Sequence, residues 1–439
     1  VKAMHCLLLL CLTVPAAGQN RATEEVDADR LRWFHEAKLG IFIHWGIYAV
    51  DGVSESWSFH NGHVAYDDYM AQLDGFTADR YDPRYWAELI RCSGARYAVL
   101  TAKHHDGVAL WDSDATDLNV VERTPAGRDL IVPFADALRH EGIKVGLYYS
   151  LIDWSDPNYP NFTRTEKRYE EDPARWAAFS RSNHAQIREL SRRFDPDLVW
   201  FDGDWEQSAE RWDAPAIRKM LLTENPQVII NSRLQGHGDY ATPEQGVPIA
   251  RPDDRYWELC MTMNDSWGYQ PADRNYKSTN QIIRLLIECI SMGGNMLLDI
   301  GPQADGTICD KQVAILQELG RWTSKHAEAI YGTEGGLPPG YFHGPSAVSA
   351  DSSTVFLYLA HRPVGPVMLK GIMNPLKRVR VVGQEGELVW DIKMKLSWRD
   401  TPGVIYVDVP EEALDAEVTV LAVELDGALA LYREPSSIH

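Results

Sequence analysis

The sequence predicts an α/β fold, a (β/α)8-like barrel followed by a C-terminal antiparallel β-sandwich, on three observations. Short apolar runs alternate with helical patterns at intervals of about 50 residues, as parallel βα units do. Nearly every run ends in polar or aromatic residues, and the carboxyl ends of barrel strands are where active-site groups collect. Beyond Gly332 the pattern becomes short alternating runs between turn residues, which reads as packed antiparallel sheets. A doubly wound sheet fits less well, because no Gly-x-Gly-x-x-Gly loop follows the first strand.

In chain order, Ile41–Ile43 runs into His44-Trp45-Gly46, and Tyr97–Leu100 into Lys103-His104-His105-Asp106-Gly107. Val145–Leu147 runs into Tyr148-Tyr149-Ser150, and Leu198–Phe201 into Asp202-Gly203-Asp204-Trp205. Val228–Ile230 leads to Asn231-Ser232-Arg233, Tyr256-Trp257-Glu258 opens a further strand, and Met296–Pro302 is the last. Such short, apolar and aromatic runs suit a buried sheet. Amphipathic spacing predicts helices over Arg84–Cys92, Leu130–His140, Ala174–Phe194, Thr279–Ser291 and Lys311–Ile330. Gly335-Gly336-Leu337-Pro338-Pro339-Gly340 reads as a linker. Alternating runs at Thr354–Leu359, Val379–Val382, Val404–Val409 and Val418–Val423 supply the sandwich.

The start reads as an export signal. Lys2 gives a positive end, Leu7–Val14 an apolar stretch, and Ala16-Ala17-Gly18 a small-residue cleavage site. The division is therefore a signal peptide over 1–18, a catalytic barrel over 19–335 and a sandwich over 336–439. The expected destination is exported (periplasmic, secreted or lysosome-like) after cleavage near Gly18. No later segment offers about 20 uninterrupted apolar residues, so membrane insertion is not expected. The net charge of −20 argues against nucleic acid as a partner, since phosphate binding needs a basic face. Cys92, Cys260, Cys289 and Cys309 are widely spaced and contain no Cys-x-x-Cys pair, which disfavours zinc; disulfides and free thiols both stay open.

Chemistry points to carboxylates. No Gly-x-Ser-x-Gly elbow is present, and no cysteine has a basic partner in sequence. His44, His104 and His105 lack a His-x-His pair, and neighbours on a strand face opposite ways, so a shared metal is disfavoured. Asp202 emerges at a strand end beside glycine and tryptophan; an indole can cover the C–H face of a sugar while the carboxylate reaches its reactive carbon. A retaining glycosidase needs two carboxyl groups about 5–5.5 Å apart, one ionised and one protonated. Asp202 fits the nucleophile, and Arg233 at the next strand end can hold it charged. The second carboxyl is Glu244 in Thr242-Pro243-Glu244, Glu258 or Glu55.

The set His44-Trp45-Gly46, Lys103-His104-His105-Asp106-Gly107, Gly146-Leu147-Tyr148-Tyr149-Ser150, Trp200-Phe201-Asp202-Gly203, Asn231-Ser232-Arg233 and Gly294–Pro302 resembles the α-L-fucosidases of glycoside hydrolase family 29. The resemblance covers about residues 28–335 and implies retaining hydrolysis of terminal α-L-fucosides with no cofactor. It implies Asp202 as nucleophile and Glu244 as acid/base, with Glu258 the rival. It implies fucose contacts from His44, His104, His105, Trp200, Arg233 and Tyr149, with Tyr148 the alternative to Tyr149. Glu55 and Trp57 are carried over as substrate-binding residues, although Ser56 separates them where many relatives have adjacent Glu-Trp. The implied partner is a fucosylated oligosaccharide or glycoconjugate. A homo-oligomer is compatible. Rival readings are a fucose-binding protein without catalysis, a hydrolase of a related α-L-sugar such as an α-L-galactoside, and a metal-dependent barrel hydrolase using His44, His104 and Asp202.

Overall fold

The computed structural model describes residues 28–396, 398 and 401–433. The expected signal peptide over 1–18 lies outside the described residues. Seven parallel strands form a curved sheet: β1 (Leu39–Ile43), β2 (Tyr97–Lys103), β3 (Lys144–Ser150), β4 (Leu198–Asp202), β5 (Ile229–Ile230), β6 (Glu258–Thr262) and β7 (Asn295–Ile300), in the order β5-β4-β3-β2-β1-β7-β6. Apart from Lys144 their residues are buried, which is why they read as apolar runs without alternation.

The gap between β5 and β6 is filled by an irregular stretch over residues 239–245. Asp239 N–H donates to Ile230 O and Ser232 N–H to Tyr240 O on one side; Glu258 N–H donates to Ala241 O and Cys260 N–H to Pro243 O on the other. This stretch takes the place of a regular eighth strand, and no helix lies between β5 and β6. Pro243, which lacks an N–H, breaks the donor pattern a full strand would need.

The strands have two faces with different fates. Phe42, Tyr97, Val99, Tyr148, Leu198, Trp200, Tyr240, Cys260 and Leu297 form an inner cluster. Ile41, Ile43, Leu100, Leu147, Tyr149, Val199 and Phe201 join the larger cluster under the surrounding helices. Those helices start where the chain supplies caps. Asp82 accepts from Arg84 and Tyr85 N–H before Pro83–Ser93, Asp172 accepts from Ala174 and Arg175 N–H before Pro173–Phe194, and Ser278 forms a capping box with Gln281 before Thr279–Ser291. Ile131–His140 forms close to its expected span, whereas the last predicted helix ends at Lys325 and gives way to a turn of 3-10 helix at Ala327–Ala329.

The C-terminal region has a five-stranded antiparallel sheet, β12-β15-β10-β9-β8, and a three-stranded one, β11-β14-β13. The spans are β8 (Glu334–Gly335), β9 (Ser346–Val348), β10 (Thr354–Leu359), β11 (Val367–Lys370), β12 (Leu376–Val381), β13 (Trp390–Lys393), β14 (Val404–Val407) and β15 (Thr419–Leu425). Strand alternation explains their stacking. Val355, Leu357 and Leu359 pack with Leu369, Ile405 and Val407 between the two sheets, while Phe356 and Tyr358 on the opposite face join the barrel's outer core. The five-stranded sheet is thus clamped between the barrel and the smaller sheet.

Candidate active site

Asp202 is the last residue of β4, on the same inward face as Trp200 two residues before it. Gly203 follows with φ 82, a left-handed conformation, and a Cβ there would sit 2.7 Å from the Ile152 side chain. The turn therefore leaves the strand sharply and keeps the Asp202 carboxylate at the strand's end. Each of its oxygens is held by a donor. Tyr148 Oη donates to Oδ2 at 2.9 Å and Arg233 Nη1 to Oδ1 at 3.0 Å.

Arg233 also donates through Nη2 to Glu244 Oε2 at 2.6 Å and through Nε to Thr242 Oγ1 at 3.1 Å, while its guanidinium lies over the Trp200 ring at 4.6 Å. One guanidinium thus bridges the two carboxylates. Burial works against its charge, but Asp202, Cys260 and Glu244 together raise its pKa above the ordinary value. Glu244 comes from the irregular stretch that closes the sheet and stands at the solvent-facing rim.

These groups line a cavity of about 140 Å³ with Phe42, His44, Glu55, Trp57, His104, Tyr148, Trp200, Trp205, Cys260 and Trp267. Larger hollows, about 530 Å³ between Pro83–Ser93 and Ile131–His140 and about 690 Å³ beside Thr279–Ser291, lie outside the barrel wall. Neither brings a pair of carboxylates together with indoles, so chemistry and not size selects the small one.

The histidines are held from behind. Nδ1 of His44 contacts Asp299 Oδ1 at 2.7 Å, Nδ1 of His104 contacts Ser56 Oγ at 2.6 Å, and Nδ1 of His105 contacts Ser150 Oγ at 2.6 Å. Burial, reinforced by neighbouring histidines or Lys103, pushes all three well below the usual histidine range, so the rings are neutral. Strand alternation does not separate His104 from His105, because β2 ends at Lys103 after a register shift. Their ring centroids are 4.3 Å apart. Among the described residues no group of three His, Cys, Asp or Glu side chains is placed to hold a metal ion. The four cysteines Cys92, Cys260, Cys289 and Cys309 are unpaired.

Glu55 and Trp57 both reach the cavity despite the intervening Ser56. Glu55 adopts φ 33, which turns Ser56 toward His104 between the two. Burial pushes the Glu55 carboxyl to about 7, although Gly268 N–H donates to it at 2.6 Å. Three expected residues do not line the cavity; one is His105, which stands beside Asp202 with Nε2 3.6 Å from Oδ2. Tyr149 faces outward, and its hydroxyl donates to Asn183 Oδ1 at 2.5 Å and receives Lys103 Nζ at 3.0 Å. Tyr148 holds the inward position. Glu258, at the start of β6, is fully buried beneath Trp200, whose indole N–H donates to it at 3.1 Å; Tyr97 donates to its other oxygen. It does not line the cavity. Trp205, the indole beside Asp202 in sequence, does line the cavity, and Phe42, Trp267, Cys260 and Asp299 belong to the site or its support without having been singled out in sequence. For Phe42 and Cys260 the signal was strand parity with His44 and Glu258; for Trp267, which arrives on a loop after β6, no local signal exists.

Burial drives the Glu258 carboxyl from its ordinary 4.5 to about 7. The raised value means the fold favours the protonated form. Its stabilisation is complete below about pH 4.5 and is lost as pH rises through about 7. Glu258→Gln keeps an acceptor for Trp200 and removes the ionisation. The melting temperature of the variant relative to the parent is expected to rise across that window and level off above it, by the equivalent of about 3 kcal/mol. A difference that does not change with pH would show that folding leaves the Glu258 carboxyl at its ordinary value.

A closed-bottomed pocket at the carboxyl ends of parallel strands, with two carboxylates on one arginine, neutral histidines and indole walls, defines a barrel hydrolase site for a small polyhydroxylated ring. Residues 10–328 match the family model described as alpha-L-fucosidase. The tissue alpha-L-fucosidase of Rattus norvegicus is 32% identical over 412 residues, covering 82% of this chain and 83% of the relative. Among solved structures, alpha-L-fucosidase isoenzyme 1 from Paenibacillus thiaminolyticus superposes with a TM-score of 0.83 at 33% identity, over 91% of this chain and 100% of that one. A GH29 alpha-L-fucosidase from Bacteroides thetaiotaomicron, solved as a trapped covalent intermediate with 2-fluoro-fucosyl fluoride, gives 0.80 at 25% identity over 91% and 96%. The chain belongs to the alpha-L-fucosidase family of glycoside hydrolases.

Proposed function

We propose that this protein removes terminal α-L-fucose from fucosylated glycans with retention of configuration, using Asp202 as nucleophile and Glu244 as acid/base. The observation that carries the reading is the Arg233 bridge, which keeps both carboxylates at one cavity. An Asp202 oxygen bonds to the anomeric carbon as the glycosidic C–O bond breaks, and Glu244 gives its proton to the departing oxygen. Glu244 then takes a proton from water, which displaces Asp202 from the sugar. The small cavity supports an exo action on a single terminal ring. Glu258 is less suited to the acid/base role, since both its oxygens are engaged beneath Trp200.

Neutral His44, His104 and His105, with Glu55 and Arg233, supply partners for the sugar hydroxyls. Trp57 and Trp205 stand near-parallel, their centroids 6.3 Å apart and interplanar angle 14°, as an apolar wall suited to the C5 methyl. That wall favours a fucoside over an α-L-galactoside, whose extra hydroxyl would meet indole carbon. On matched aryl glycosides kcat/KM is expected to favour the fucoside by about 10–100-fold. Equal rates would remove the wall's role, and no turnover of either would leave the sugar-binding reading. An export signal over 1–18 accords with the names of tissue and plasma relatives. Among the described residues no helix is long and apolar enough to cross a membrane.

A further inference from the structure

The closing stretch that carries Glu244 is a single extended segment, and its two sides face different hollows. Glu244 and its bridge partner Cys260 on β6 line the catalytic cavity. Their neighbours Gln245, Met261 and Thr262 line the hollow of about 690 Å³ outside the barrel wall. Gln245 N–H donates to Cys260 O at 3.0 Å, and the Gln245 side-chain amide lies 3.1 Å from Thr262 Oγ1, so one wall separates the two spaces. In a regular barrel a helix between β5 and β6 would cover this side of β6. None forms here, and a trough stays open between the closing stretch and the helix Thr279–Ser291. Arg284 and Glu288 line this trough and also a second hollow of about 480 Å³, whose far side is the sandwich at His361, Val367 and Met368. The two hollows therefore form one path from the rim beside Glu244 to the sandwich, and Gln281 to Glu288 alone supplies about 10 Å of helix surface along it.

We propose that this trough is the aglycone site: the glycan that carries the fucose leaves the catalytic cavity over Glu244 and lies along the helix Thr279–Ser291, its far end on the sandwich. This rests on the reading of Glu244 as acid/base, because the proton donor stands on the leaving-group side of the scissile bond. The lining suits a chain of hydroxylated rings. Met261 and Leu285 give an aliphatic floor, and no aromatic side chain lines the first hollow, so recognition there runs through hydrogen bonds. The groups to make them are at hand. Arg284 commits only Nη2 to the protein, at Ala360 O and His361 Nδ1. The Glu288 carboxylate, one turn on, faces Arg284 without a hydrogen bond among the described residues. Lys277 donates to Thr262 O at 2.8 Å and to Asn264 O at 3.0 Å, which holds the loop after β6 at the trough's edge. The Arg284 contact with Ala360, after β10, gives the sandwich a part in choosing the substrate.

The first test needs no variant. Fucosyl oligosaccharides that share one linkage but differ in aglycone length, from a single sugar to a tetrasaccharide, are compared on the parent enzyme. From the shortest to the longest, kcat/KM is expected to rise by about tenfold or more, chiefly through KM. A rate indifferent to aglycone length overturns the proposal, as does cleavage of an aryl fucoside with no cleavage of any oligosaccharide. Arg284→Ala removes a donor, and Glu288→Trp fills the junction of the two hollows. Each should remove the gain with length while costing the shortest substrate about twofold or less. Equal losses at every length would mean that these residues support the fold alone, and would overturn it too. Binding is read separately on methyl-labelled methionines. The tetrasaccharide without its fucose should shift the methyl signals of Met261 beneath the trough and Met368 at its sandwich end, and fucose alone should leave Met368 unmoved. Unmoved signals with the tetrasaccharide would overturn the proposal even if the variants fail to fold. Failure of the parent to turn over an aryl fucoside would instead defeat the hydrolase reading, and the two failures are distinguishable because the methyl shifts do not depend on turnover.

Discussion

Replacing Asp202 with alanine is expected to lower turnover of an aryl α-L-fucoside by roughly ten-thousand-fold or more. The size of the effect follows from how the carboxylate is held. Tyr148 and Arg233 each bind one of its oxygens, and the strand end with Gly203 fixes its direction, so the attacking oxygen is already placed before the sugar arrives. The fold should survive, because Arg233 retains Glu244 and Thr242 and the strand's other side chains pack in two separate cores. A thermal melt within a few degrees of the parent, about 1 kcal/mol or less in stability, is the control. Azide should then supply the missing nucleophile and give the inverted fucosyl azide from an activated fucoside. Activity within about tenfold of the parent would remove Asp202 from the role.

The parts of this architecture that were legible in the sequence are those in which local pattern and tertiary role coincide. Leu198–Asp202 is buried on both faces, so its apolar run announced a strand and the carboxylate at its end announced a site. Parity could have carried the reading further. Trp200 pairs with Tyr148, and Trp200 shares the face of Asp202, so Tyr148 is inward and Tyr149 outward. Parity cannot distinguish depth. Glu258 and Cys260 share a face, yet Cys260 reaches the cavity and Glu258 lies a strand pair below it. Parity does not set the histidine orientations for a related reason, because alternation holds inside a strand and His104 and His105 follow its end. The closing stretch around Glu244 has neither periodicity nor a regular ladder, and the Gly268 N–H that meets Glu55 comes from a loop far along the chain. Contacts of that kind are set by the closure of the sheet, which no local window of sequence contains.

Glu244 should be separable from Glu258 by the leaving group. If Glu244 protonates the departing oxygen, Glu244→Ala should cost about 100-fold or more on a fucoside with a poor, alkoxide-like leaving group. A leaving group that departs as a stable anion needs no proton, so its loss should be far smaller in the first step. The second step still lacks its base, so the fucosyl-enzyme should accumulate and azide should restore turnover by giving the azide with retained configuration. That product differs in stereochemistry from the one expected with Asp202→Ala, and the pair of experiments therefore assigns both carboxylates. Glu258→Ala is expected to behave differently, since both oxygens of Glu258 are bound beneath Trp200 and its removal opens a cavity in the barrel interior. It should lower stability and affect good and poor leaving groups alike. Should Glu258→Ala show the leaving-group dependence and azide rescue while Glu244→Ala does not, the two roles are exchanged, and the Arg233 bridge to Glu244 is then a rim contact that holds the arginine over Trp200.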